Sequence, residues 1–113
     1  MDIEKIKYEF GDDIEIFSEL VDDFKIESKK MIADIEKFIS DKEYHQLMIV
    51  AHTYKGVVAN FYSNEIEECA FKLEKMGREE DISNAQNILI KLIELDKILI
   101  TELESFLNEK KAS

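Results

Sequence analysis

The chain has no proline and only three glycines, Gly11, Gly56 and Gly77, among its 113 residues. A turn-rich β fold needs both residue types in quantity, whereas long uninterrupted helices need neither. There is a single cysteine, Cys69, which excludes an internal disulfide framework and fits a reducing compartment. No apolar run approaches the ~20 residues needed to span a bilayer, and Met1-Asp2-Ile3-Glu4 does not open a signal peptide. Positive charge is also scarce, with 15 basic residues against 26 acidic and a formal net charge of −11. Such a surface repels phosphate backbones and anionic lipid, so nucleic-acid and membrane-surface binding are disfavoured. The chain has the length of one domain, residues 1–113, and 45% of it is hydrophobic, which is the balance of a cytoplasmic helical protein.

Periodicity then divides the chain. Residues 2–9 form a short helix ending near Gly11, and Asp12 and Asp13 provide capping carboxylates for the next. Ile14, Phe17, Val21, Phe24, Ser28, Met31, Ile35 and Phe38 keep a three–four spacing, predicting an amphipathic helix over 13–39. Ser40-Asp41-Lys42-Glu43 has the form of a capping box opening a helix over 41–62. Ser63 caps a helix over 64–77, with Gly77 as its left-handed terminator and Cys69 a small core residue. Ser83-Asn84-Ala85-Gln86 offers a second box before a helix over 82–108, whose end Lys110 and Lys111 complement. The connections are short, so the expected fold is all-α: an antiparallel up-down-up-down four-helix bundle with a short extra N-terminal helix. Ile90, Ile93, Ile98 and Ile100 widen the apolar stripe of the last helix, either to receive the N-terminal helix or for self-association.

The informative stretch is Ala51-His52-Thr53-Tyr54-Lys55-Gly56. Leu47, Ala51, Tyr54, Val58 and Phe61 form one apolar helical face, whereas His52, Lys55, Gly56 and Ala59 form a second, adjacent one. A mid-helix glycine costs roughly 1 kcal/mol against alanine, so helix stability did not select Gly56. If the segments around residue 62 fold as a helical hairpin, His52 and Glu74 each climb about 15–17 Å from the turn and lie level. Glu74 accepting from Nδ1–H would fix the tautomer and leave the Nε2 lone pair outward, and an imidazole with a pKa of about 6.5 is mostly neutral at pH 7. Lys55, one turn on, would offset the charge of a phosphoryl group on that nitrogen, and Gly56 would clear a partner's approach. His45 lies about 10.5 Å away along the same helix, too far to share a metal with His52. Neither a metal site nor a nucleotide site is expected.

These six residues resemble the Ala-His-(Thr/Ser)-Leu-Lys-Gly signature of histidine phosphotransfer (HPt) domains, the helical modules of multistep two-component phosphorelays. The likeness runs from about Ile16 to Leu103; Tyr54 replaces the usual leucine, and Tyr62 stands where glycine is frequent. The resemblance implies His52 as phosphoacceptor, Lys55 as the phosphate-neighbouring cation, Gly56 as the access residue and Glu74 as the orienting partner. It also implies a carrier between receiver-domain aspartates with no kinase activity and no cofactor of its own, Mg²⁺ residing on the partner receiver. The implied partners are response-regulator receivers and a hybrid histidine kinase, and the expected state is a monomer. Met1 and the absence of a linker favour a free-standing protein over a domain of a hybrid kinase. A non-catalytic bundle scaffold and the phosphoacceptor domain of a larger histidine kinase are the alternatives.

Overall fold

A computed structural model describes residues 1–11 and 13–112, with side chains through Lys110. The expected capping role of Asp12, and that of the Lys111 side chain, lie outside the described residues. Five α-helices follow in order: α1 (Ile3–Phe10), α2 (Ile14–Ser40), α3 (Tyr44–Val58), α4 (Asn64–Glu79) and α5 (Ala85–Ala112). A single 3₁₀ turn, Ala59–Phe61, prolongs α3, and no strand occurs among the described residues. Among the described residues, no helix is long and apolar enough to cross a membrane.

The core follows the apolar spacing. Phe17, Val21, Phe24 and Ile35 of α2, Leu47, Ala51, Tyr54 and Val58 of α3, Leu73 of α4, and Leu89, Leu92, Leu99 and Leu103 of α5 are buried in one cluster. α2 packs on α3, α3 on α4, α4 on α5, and α5 back on α2. α1 rests on α2 and buries Ile6. Its first residues share a cleft with Leu95, Ile98 and Leu99, but Ile98, like Ile90, remains about half exposed.

Helix ends depart from expectation in instructive ways. Asp13 caps α2 by accepting from the Ile16 amide at 3.2 Å. The box at Ser40 does not form, because α2 continues through Ser40 and closes with Lys42 left-handed (φ 55°). Lys42 N–H then donates to Ile39 and Glu43 N–H to Phe38, which consumes the backbone groups a box would use. Glu43 becomes the first cap of α3 without a side-chain bond. The box at Ser83 is also absent: its amide and hydroxyl both donate to Asp81 Oδ1, and α5 starts only at Ala85. Ser63 occupies the cap position of α4 without making a side-chain bond.

Gly77 is the larger correction. α4 continues past it to Glu79, and Glu80 (φ 55°) supplies the left-handed residue, with the Asp81 amide donating to Met76. Gly77 is buried inside the helix because α3 touches it: a Cβ there would lie 2.7 Å from both Met48 N and Tyr44 O. Tyr62 also takes a left-handed conformation, φ 54° and ψ 48°, which glycine would adopt freely. Tyrosine bears the strain while its hydroxyl donates to Glu9 at 3.1 Å and Lys5 lies over its ring, tying α1 to this turn.

One polar group sits in the middle of the core. Asp96 occupies the apolar stripe of α5 between Leu92 and Leu99, is almost wholly buried, and accepts from the Tyr54 hydroxyl of α3 at 2.6 Å. Burial raises the Asp96 carboxyl above the ordinary range, and the hydrogen bond from Tyr54 pulls it only part of the way back. Burial, then the Asp96 charge, raises the Tyr54 phenol, so it remains a donor. The buried Ser28 hydroxyl of α2 faces the same carboxyl without a hydrogen bond of standard geometry. A carboxyl whose folded-state value is raised contributes stability below its unfolded value, and that contribution is lost as pH rises through the folded value. Asp96→Asn keeps an acceptor for Tyr54 and removes the buried ionisable group. It is expected to gain about 1 kcal/mol at neutral pH and nothing below about pH 3.5, read from denaturant midpoints at the two pH values. An equal effect at both would show that charge burial is not the cause.

Candidate functional site

Burial of Leu47, Ala51, Tyr54 and Val58 fixes the rotation of α3 about its axis, and that rotation carries His52 outward. Its side chain is 68% exposed. Leu73 does the same for α4: it is buried, and Glu74 follows it to the rim of the α3–α4 interface with its side chain only 7% exposed. The two meet as the level argument predicts. His52 Nδ1 lies 3.1 Å from Glu74 Oε1. A carboxylate only accepts, so Nδ1 carries the hydrogen and Nε2 of the neutral ring bears the lone pair.

Glu74 serves two further donors. Lys55 Nζ donates to the same Oε1 at 2.9 Å, and Arg78 Nη2 donates to Oε2 at 2.8 Å. Burial would raise the Glu74 carboxyl, but the hydrogen bonds and charges of Lys55 and His52 outweigh it and hold the group below its ordinary value. It is therefore an anion at neutral pH. Lys55 is also 5.0 Å above the ring of Phe71, which stands exposed on α4. A shallow cleft of about 220 Å³ beside the imidazole is lined by Met48, Ile49, His52, Thr53, Glu74 and Arg78. Gly56 is exposed in the interior of α3, and a Cβ built on it would meet no atom within 4 Å.

The structure thus brings His52, Lys55 and Glu74 into one cluster and leaves Gly56 as bare backbone one turn beyond the imidazole. It adds Arg78, which the sequence placed in a charged connection. The signal was the i,i+4 spacing of Glu74 and Arg78, visible once α4 is allowed to run past Gly77. Met48 and Ile49 supply the apolar wall of the cleft beside the imidazole, and Ala59 lies outside it. His45 is exposed on α3 and takes no part in the cluster. Among the described residues, no group of three or more His, Cys, Asp or Glu side chains is placed to hold a metal ion.

An all-α chain with an exposed imidazole backed by a buried carboxylate defines a helical histidine module. The Hpt domain family model matches residues 19–109, and the chain belongs to that family. Its members serve histidine phosphotransfer in two-component phosphorelays, where they meet receiver domains and histidine kinases. Comparison with curated proteins and with solved structures gave no match.

Proposed function

We propose that this chain is a phosphoryl carrier that accepts a phosphoryl group from a receiver-domain aspartate on His52 Nε2 and passes it to another. The observation that carries the reading is the His52–Glu74 pair: one ring nitrogen is bound to a buried carboxylate while the ring itself stands 68% exposed. Glu74 orients the ring and sets its tautomer, Lys55 offsets phosphoryl charge, and Gly56 clears the approach. The domain spans residues 1–113 as a cytoplasmic monomer, its four longer helices running up-down-up-down with α1 appended. It has no cofactor of its own, and Mg²⁺ belongs to the receiver that docks over Met48, Ile49 and Phe71. The chain supplies a positioned nucleophile and no nucleotide chemistry.

The test mixes the full chain with a phosphorylated receiver and follows the label. Transfer to an acid-labile, base-stable position on this chain is expected. Binding without transfer would instead make the protein a scaffold. Labelling only after a nucleotide-binding kinase domain is added would make it the phosphoacceptor of a kinase.

Gly56→Leu is expected to lower transfer from a receiver about 10-fold or more by crowding the docking path. Helix propensity predicts at least unchanged thermal stability, since leucine exceeds glycine by roughly 0.8 kcal/mol in a helix interior. Phosphorylation by the small donor phosphoramidate should survive. A loss with both donors, or a melted helix, would remove the access argument.

A further inference from the structure

Glu74 has more donors than orientation requires. One buried carboxylate accepts from His52 and Lys55 on Oε1 and from Arg78 on Oε2. Both cations that could neutralise a phosphoryl group on His52 are thus already held by an anion of the chain itself. The charged groups at the imidazole are Lys55 from α3 and Glu74 and Arg78 from α4, with a sum of +1 before any phosphoryl group arrives. A glutamine in place of Glu74 could still accept from Nδ1–H, but it would hold neither cation by charge.

We infer that Glu74 sets the phosphoryl-transfer potential of His52. By competing with the phosphoryl group for Lys55 and Arg78, it makes the phosphohistidine a short-lived, strong donor. The inference rests on the carrier reading above. In uptake, the Nε2 lone pair forms the N–P bond as the P–O bond of the donor aspartyl phosphate breaks, its electron pair restoring the donor carboxylate. The Nδ1 proton stays, so the product is a phosphoimidazolium whose positive ring faces the Glu74 anion. In delivery a carboxylate oxygen of the acceptor aspartate forms the new O–P bond as the N–P pair returns to Nε2 and neutral imidazole departs. A neutral amide at position 74 would hold neither Lys55 nor Arg78 by charge. The freed cations would turn to the phosphoryl oxygens instead. That contact lengthens the life of the phosphorylated state and slows its onward transfer.

The experiment loads the full chain with phosphoramidate, removes the donor, and follows phosphohistidine decay by ³¹P NMR, then repeats the decay with an acceptor receiver. Glu74→Gln is expected to lengthen the half-life about 5-fold or more and to slow onward transfer correspondingly, the scale of one coupling between neighbouring charges. Adding Lys55→Met and Arg78→Met to Glu74→Gln should remove most of that gain. Arg78→Met alone, on a largely exposed side chain, should shorten the half-life, because Glu74 then draws Lys55 more strongly; this arm serves even if Glu74→Gln misfolds. An unchanged half-life in Glu74→Gln, a gain that survives loss of both cations, or an unchanged or longer half-life in Arg78→Met overturns the inference. If His52→Gln is labelled by phosphoramidate as well as the wild type, the carrier reading itself fails. If His52 alone is labelled and the half-lives match, only the role given to Glu74 fails.

Discussion

His52→Gln is expected to take up no phosphoryl label from a phosphorylated receiver, with a rate at least about 1,000-fold below wild type, because a covalent nucleophile has no partial substitute. An amide nitrogen has its lone pair delocalised into the carbonyl and does not attack phosphorus. The same amide can still donate to Glu74, so the buried carboxylate keeps a partner and the far-UV spectrum should not change. His45→Gln is the matched control. It removes the other imidazole of the chain from the same helix, two turns away and outside the cluster, and should transfer at the wild-type rate. Acid-labile label on His52→Gln, or its loss in His45→Gln, would move the chemistry to a different residue.

Gly77→Ala should damage fold and site together. A methyl group is ordinarily welcome inside a helix and gains roughly 1 kcal/mol over glycine. Here it would meet Met48 N and Tyr44 O at 2.7 Å and Met48 Cα at 3.1 Å, all of them backbone atoms that no rotamer change can clear. α3 and α4 must separate, and overpacking of this kind costs typically 1–3 kcal/mol and occasionally more, out of a total stability of about 5–15. The same interface holds the His52–Glu74 bond, since Glu74 lies one turn before Gly77 and His52 one turn after Met48. The expected result is a Tm lower by about 10 °C, with slower phosphoryl uptake in the fraction that remains folded. Gly56→Ala is the internal contrast: nothing lies within 4 Å of its Cβ, and it should stabilise. A Tm for Gly77→Ala at or above wild type would show that the two helices can move apart freely.

These two glycines illustrate what can be read from a chain. The Gly56 position was legible because it breaks the propensity of an otherwise regular helical face beside His52. Gly77 was misread as a terminator, because local rules know only that glycine ends helices. They do not contain the α3 backbone, which arrives from some thirty residues earlier. The capping boxes failed for a related reason. Ser40 and Ser83 have the right neighbours, but where a helix stops depends on which carbonyls the following turn satisfies, and Lys42 and Asp81 changed that pattern. Asp96 is not singled out by the sequence, because its partner Tyr54 is 42 residues away and cannot be named from spacing.

The sequence by itself determined that the chain is helical, which faces are apolar, and that His52 and Glu74 share a level, because helical periodicity is a local property of side-chain order and rise per residue. Only the tertiary structure decided that one carboxylate serves His52, Lys55 and Arg78 together, that α4 outlasts Gly77, and that a carboxyl lies buried at Asp96. Each of these depends on the distance between two helix axes and on water excluded from between them, quantities that exist only once the helices have packed.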